Sequence, residues 1–262
     1  MLQRPERLNG FTMGMKRELT EWLIGAQVSD EVRVIVLSGA GGNFSAGDDI
    51  SAKPDDDLPE PRLTRRLDMT GRSAIRTYEV LRLVSQPLVR TLYTTDKPTI
   101  AAVDGYAIQS GLSIALACDF RVATDRVKLS SGTLRFGYAP DDGGHHLLVR
   151  ALGYSRAAQF VMFNEFVGAE EAHRLGLVTA VTSPDQLEAE TARLAAELGR
   201  GPQVAMRLIK RGLQSATQLD IDAAFDDMAT KTAISDHHPD AAEGGRAFLE
   251  KRAPTFNAWL EG

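Results

Sequence analysis

KPTIAAVDGYAIQSGLSIALACDFRVATD, residues 97–125, decides the fold. Its run Thr99-Ile100-Ala101-Ala102-Val103 has no polar alternation and stops at Asp104-Gly105. A short apolar run of this kind reads as a strand buried on both faces. A turn containing Gly and Ser follows, and residues 111–118 read as an apolar helix. Strands are expected near 119–124 and 127–130.

Working outward, RVIVLS at 33–38 is a second buried strand, ended by Gly39 and the loop to Asn43. Upstream, residues 12–27 predict a helix capped by Thr12, with Met15, Leu19, Trp22 and Leu23 at helical spacing. Residues 51–63 carry Pro54, Pro59, Pro61 and the acidic run Asp55–Asp57, which reads as a mobile surface loop. One long helix is expected over 70–92. After Gly143-Gly144 the pattern is mostly helical, at 144–152, 155–163, 169–175, 184–199, 203–215 and 219–234. A short strand near 177–182 interrupts it. The class is therefore α/β, with strands and helices alternating early and helices dominating late. The expected division is 1–195 for the α/β core and 196–262 for a helical C-terminal region.

The chain has 262 residues, 43% hydrophobic and 25% charged, with a formal net charge of -5. No basic stripe runs along it, so nucleic acid is not the expected partner. Local cations and helix N-termini still suffice for a phosphorylated ligand. No apolar run reaches the ~18 residues of a membrane span, and MLQRPERLNG lacks a signal-peptide core. A cytoplasmic protein is expected. The single cysteine, Cys118, lies in an apolar run and reads as a buried, inert thiol.

Three stretches can carry chemistry. Phe44-Ser45-Ala46-Gly47-Asp48-Asp49-Ile50 follows a strand, and its small residues let a ligand approach backbone N–H groups. Asp104 to Ser113 feeds a strand into a helix whose first N–H groups suit a developing oxyanion. Phe136 to His146 holds adjacent carboxylates, Asp141 and Asp142, before a glycine pair and a helix start. Taken singly, the first two read as plain turns and the third as helix capping by Asp141 or Asp142.

Together, their order and spacing resemble the crotonase, or enoyl-CoA hydratase/isomerase, family over nearly the whole chain. RPERLNGF (4–11) is similar to that family's R-P-x-x-x-N-A segment. Residues 33–50 and 97–125 resemble its two oxyanion-hole segments. FGYAPDDGGHHLLVRALGYSRAAQFVM (136–162) resembles its G-x-x-P-x-x-G-G segment. AEEAHRLGLVTAV (169–181) and AAEGGRAFLEKRAPTF (241–256) match its later stretches. The resemblance implies a spiral of ββα turns with a helical C-terminal trimerisation region, assembled as a homotrimer or dimer of trimers. The chain begins almost at RPERLN, so little of the family's leading strand pair is expected.

The resemblance also implies site roles. The oxyanion-hole N–H groups fall on Asp48 and Ser110, where the family has Ala and Gly. Asp48 thus brings a carboxylate beside the hole, which opposes enolate formation unless it turns away. The coenzyme A contacts fall on Arg4, Glu6, Leu8 and Ala46, with Lys251 reaching a neighbour's phosphates. The two glutamates of the family's hydratases fall on Ser113 and Thr133, neither of which is a general base alone. Asp141 falls where several isomerases and a dehalogenase branch carry a catalytic Asp. FSAGDDI, Ser113 and Ala139 to Gly143 are similar to the ring 1,2-epoxyphenylacetyl-CoA isomerase branch.

The expected activity is double-bond migration in an enoyl-CoA of fatty or aromatic acid metabolism, with Asp141 as acid and base. Asp142 and His145 are auxiliary candidates. Hydration or hydrolysis by the same family, and a non-catalytic acyl-CoA binder, are the alternatives. His145 and His146 otherwise read as a solvent-facing pair. No metal is expected, and no cofactor beyond the coenzyme A of the substrate.

Overall fold

A strand with no alternation of apolar and polar residues needs cover on both faces, and Thr99–Val103 is buried throughout. The structure, a computed structural model, describes residues 1–51 and 74–260. The predicted loop at 51–63 lies almost wholly outside the described residues, as do 70–73 of the predicted long helix. The strands are β1 (Ile35–Ser38), β2 (Thr99–Val103), β3 (Tyr106–Ile108), β4 (Phe120–Thr124), β5 (Lys128–Ser130) and β6 (Ala180–Thr182). A four-stranded parallel sheet runs β1-β2-β4-β6, with Ile35 opposite Thr99, Ile100 opposite Phe120 and Val122 opposite Ala180. A second sheet pairs β3 and β5 in parallel, Ala107 facing Leu129.

Successive turns stack. β2 passes directly into β3, and β4 into β5. Ser45, downstream of β1, makes a parallel bridge to Ala107. Each turn thus gives one segment to each sheet and bends between them. At the β2–β3 corner Gly105 has φ +53, and a Cβ there would lie 2.4 Å from the Gly42 carbonyl oxygen. Only glycine fits that approach. Asp104 braces the corner by accepting from Thr124 Oγ1 at 2.7 Å and Arg126 Nε at 2.6 Å.

The helices are α1 (Met13–Val28), α2 (Ala74–Val80), α3 (Gln86–Thr94), α4 (Ser110–Ala117), α5 (Gly144–Leu152), α6 (Tyr154–Phe163) and α7 (Ala169–Arg174). They continue with α8 (Leu187–Arg200), α9 (Gln203–Ser215), α10 (Ile221–Asp236) and α11 (Pro239–Leu249). α4 is buried along its whole length, between α3, α5 and β3. Leu88 and Leu92 of α3, Ile114 of α4 and Leu148 of α5 are at most 1% exposed. Burying each such side chain contributes about 1.5–3 kcal/mol. α8 lies on β1, β2 and β4, so the expected division at 195/196 falls inside this helix. No helix among the described residues is long and apolar enough to cross a membrane.

Several expectations need correction. The predicted long helix is interrupted by a π-helical stretch, Leu81–Ser85, between α2 and α3. Pro87 follows it, and a proline ring clashes with the carbonyl four residues back, which a widened turn relieves. β3 replaces part of the predicted turn after β2. α11 escaped the periodicity because Gly244 and Gly245 dilute it, although Pro239 at its first position is a start signal. Thr12 caps α1 as expected, accepting from Met15 N–H at 3.2 Å. Trp22 stays 52% exposed, on the edge of a buried stripe that instead includes Lys16, Leu23 and Ala26.

Candidate active site

The stacked turns bring Asp48 and Ser110 side by side. Gly47, at φ +96, turns the chain after Ser45. Gly111 lets α4 start against the same segment, since a Cβ there would lie 2.5 Å from the Ser45 carbonyl oxygen. Gln109 precedes α4 with φ +48 and ψ -114, a conformation that side chains other than glycine rarely take. The Ser110 N–H is the first of α4 and has no acceptor inside the helix.

The Gln109 carboxamide lies against the Asp48 amide and the Ser110 hydroxyl. Its Oε1 accepts from the Asp48 N–H at 2.8 Å and from Ser110 Oγ at 3.0 Å. Its Nε2 donates to Asp141 Oδ1 at 3.2 Å. An oxygen held by a backbone amide, with a carboxylate close to the neighbouring atom, is the geometry for forming and holding an enolate.

Asp48 does not stand as a free negative charge. Lys16 Nζ lies 2.7 Å from Asp48 Oδ1. Ser110 Oγ donates to the same oxygen at 2.6 Å. Lys16 is 1% exposed. Its ammonium also donates to Ser85 Oγ at 2.6 Å and Ser110 Oγ at 3.1 Å. A buried cation persists only with such partners.

Asp141 is half-buried before α5. Its carboxyl is held above the usual carboxylate range, first by burial and then by the charges of Asp142 and Asp48, with Lys16 opposing. Asp142 is 3% exposed, and its Oδ1 accepts from Ser113 Oγ at 2.6 Å. Its Oδ2 is buried with no hydrogen-bond partner among the described residues. Helix capping by Asp141 or Asp142 is not found. The cap of α5 is Gly143 at φ +89, with no side-chain bond. Gln86 Nε2 donates to the Asp141 carbonyl oxygen at 2.9 Å and ties this loop to α3.

A cavity of about 270 Å³ opens beside Asp48 and Gln109. Ile50, Ile108, Phe136, Tyr138 and Phe166 give it an apolar wall. Phe136 stacks on Tyr138 with ring centroids 6.0 Å apart, and the Arg135 guanidinium lies 5.0 Å over Phe166. Larger cavities against α9 hold no comparable set of carboxylate and amide groups.

The remaining expected residues are scattered. Leu8 and Ala46 meet, the Ala46 N–H donating to the Leu8 carbonyl at 2.9 Å. Glu6 is exposed nearby. Arg4 is committed to the fold, donating to Asp49 Oδ2 at 3.0 Å and the Gly10 carbonyl at 2.6 Å. Lys251 is exposed beyond α11, with φ +54. Thr133 is fully buried, 3.3 Å from Ser131 Oγ. His145 and His146 are exposed on α5, and among the described residues neither hydrogen-bonds to Asp141 or Asp142. His146 sits edge-on to Tyr93 at 6.2 Å. Among the described residues no three His, Cys, Asp or Glu side chains group as a metal site. Sequence reasoning gave no role to Lys16, Ser85 or Gln109. A lysine seven residues before the core Leu23, on one face of α1, was the available signal.

The α/β spiral sets the Asp48 amide and the start of buried α4 close to the Asp141 carboxylate, and this arrangement goes with a class of CoA-ester enzymes. The family profile described as enoyl-CoA hydratase/isomerase matches residues 1–258. The 1,2-epoxyphenylacetyl-CoA isomerase of Escherichia coli K12 is 35% identical over 261 residues, covering 97% of this chain and 92% of that one. The crotonyl-CoA hydratase of Syntrophomonas wolfei is 30% identical over 256 residues, covering 97% and 92%. Among solved structures, an enoyl-CoA hydratase from Polaromonas sp. JS666 superposes with a TM-score of 0.84 at 29% identity, covering 98% and 94%. The chain belongs to the enoyl-CoA hydratase/isomerase family, the crotonases, and has their fold.

Proposed function

We propose that the protein is an enoyl-CoA isomerase in which Asp141 moves the proton. The thioester oxygen takes the position of Gln109 Oε1 at the Asp48 N–H, with the Ser110 N–H as the proposed second donor. Asp141 removes a proton from the α-carbon of a 3-enoyl thioester. The electron pair delocalises over the thioester and the double bond as a dienolate. Asp141 then returns the proton to the γ-carbon, leaving a 2-enoyl thioester. A carboxylate whose pKa is raised by burial takes the α-proton more readily than an ordinary aspartate would, and it stays acidic enough to hand the proton on to the γ-carbon of the dienolate.

The observation that carries this reading is the Gln109 carboxamide. Its oxygen, carbon and nitrogen imitate the thioester oxygen, carbonyl carbon and α-carbon. The atom standing for the α-carbon is 3.2 Å from Asp141 Oδ1. Ser113 and Thr133 at the hydratase positions also favour isomerisation, because neither alone activates water. The chemistry needs no cofactor beyond the coenzyme A carried by the substrate. Leu8, Ala46 and Glu6 are the proposed adenine side of the site, and Lys251 a contact for a neighbouring subunit's phosphates. A cytoplasmic homotrimer, or a dimer of trimers, is the proposed assembly. The exposed apolar residues Phe225 and Met228 of α10 support it.

The test is a panel of enoyl- and aryl-CoA esters followed by mass in heavy water. The reading requires deuterium uptake with no change in formula, abolished in Asp141→Asn while ester binding persists. A mass gain of one water would replace it by hydration. Release of free coenzyme A would replace it by hydrolysis. Tight binding with no exchange on any ester would leave an acyl-CoA binder.

A further inference from the structure

We infer that the Ser110 hydroxyl is a third donor to the thioester oxygen, and that buried Lys16 is the positioning residue that frees it to act. This rests on the proposed enolate chemistry, but it concerns groups that chemistry does not use. A two-amide hole needs only the backbone of residues 48 and 110. Here both side chains, with Lys16 from α1, form one connected cluster beside it.

The argument is one of counting protons and acceptors. Ser110 Oγ carries a single proton and faces two acceptors, Asp48 Oδ1 at 2.6 Å and the oxygen in the hole at 3.0 Å. It also receives a hydrogen bond from Lys16 Nζ at 3.1 Å, which makes the hydroxyl a better donor. Asp48 Oδ1 keeps Lys16 at 2.7 Å whichever way the hydroxyl points. The proton can therefore turn to the substrate without orphaning the carboxylate. A neutral thioester oxygen competes poorly with Asp48 for that proton. An enolate oxygen competes well. The third bond thus strengthens as charge develops, which is where a donor accelerates the reaction. Without Lys16 the same carboxylate would hold the hydroxyl and oppose the enolate.

The experiment reads the carbonyl stretch of a bound, carbonyl-¹³C-labelled saturated acyl-CoA, together with solvent exchange at its α-carbon. Ser110→Ala should bind the ester with little change in affinity, shift the stretch back toward its free position, and slow exchange roughly 100-fold, as loss of one oxyanion donor does. Ser110→Thr, which keeps a hydroxyl, should recover most of both. Lys16→Met should slow exchange further than Ser110→Ala, and adding Asp48→Ala should restore part of the rate. If Lys16→Met fails to fold, the Lys16→Met/Asp48→Ala pair compared with Asp48→Ala alone carries the test. An unchanged stretch and rate in Ser110→Ala overturns the inference. A wild-type protein that binds the ester with a shifted stretch but exchanges nothing overturns the isomerase reading alone. A wild-type protein that binds no acyl-CoA overturns both.

Discussion

The side-chain oxygen of Gln109 lies 2.8 Å from the backbone nitrogen of Asp48, the place the proposed mechanism gives the thioester oxygen. The protein thus meets its ligand with the receiving amide already bonded. Gln109 also holds φ +48 and ψ -114, a conformation that costs a non-glycine residue about 1–3 kcal/mol.

Gln109→Gly should relieve that strain and clear the hole. Affinity for acyl-CoA, measured by titration calorimetry, should rise by about tenfold, and stability should not fall. Gln109→Ala clears the hole but keeps the strained backbone, so it should gain affinity while losing the carboxamide's hydrogen bonds and some stability. Weaker binding in both variants would mean that the carboxamide assists the ligand instead of competing with it.

Asp141 predicts opposite effects on activity and stability. Its carboxyl is raised above the ordinary 3.8, first by burial and then by Asp142 and Asp48. The folded state therefore holds this proton more tightly than the unfolded chain. Its contribution to stability is present at low pH and is lost as pH rises through the folded value. Asp141→Asn should melt higher than wild type at neutral pH, with the gain shrinking below about pH 4. Turnover should fall on the acid side as the base is protonated, at a higher pH than for a solvent-exposed aspartate. A pH series of melting curves and of kcat/KM checks both.

Ser113 is the hydrogen-bond partner of buried Asp142, at 2.6 Å. Ser113→Ala should destabilise the fold by about 2 kcal/mol in urea titrations, as for loss of a hydrogen bond to a buried charged group. Ser113→Thr keeps the hydroxyl, but Gly144 packs where its Cβ position is only 3.1 Å from Ser113 Oγ, so an intermediate loss is expected. Equal stability of wild type and Ser113→Ala would show that this contact is not a net support.

Arg4 should matter more to the fold than to coenzyme A. It clamps Asp49, whose pKa is lowered from 3.8 to about 2, first by Ser51 and then by Arg4. A depressed carboxylate stabilises the fold above about pH 4 and stops doing so as pH falls toward 2. Arg4→Ala should lower the melting temperature at pH 7 and leave less of it to lose on acidification. Its affinity for a coenzyme A ester should change by less than about threefold, far below the effect of losing a phosphate contact.

Much of the architecture was legible in the sequence because β1, β2 and α4 are built mostly of apolar residues, and such runs admit few environments. Thr12 announced the start of α1 by its capping oxygen. β3 was not legible, since three residues between Gly105 and α4 give no period to read. The π stretch at 81–85 was equally hidden, because its cause, Pro87, reads as a simple break. Of the candidate site, the motifs pointed to Asp48, Ser110 and Asp141, which the fold brings near one another, and the Asp48 charge was a recognised difficulty. Its resolution was not visible, because Lys16 is far away in the chain and its charge suggests a solvent face. Arg4 shows the converse. Its motif position pointed to a ligand, and in the fold its guanidinium bonds the nearby Gly10 carbonyl and the distant Asp49 carboxylate.

The pairing of Lys16 with Asp48 also constrains how this chain can change over generations. Losing either charge alone leaves the other held only by hydroxyl groups, which weakens the fold without abolishing it. Drift back toward an uncharged hole therefore passes through a less stable neighbour or replaces both residues nearly together. Descendants should keep the lysine and the aspartate as a unit or lack both, and a lineage with only one should carry a compensating group beside Ser110.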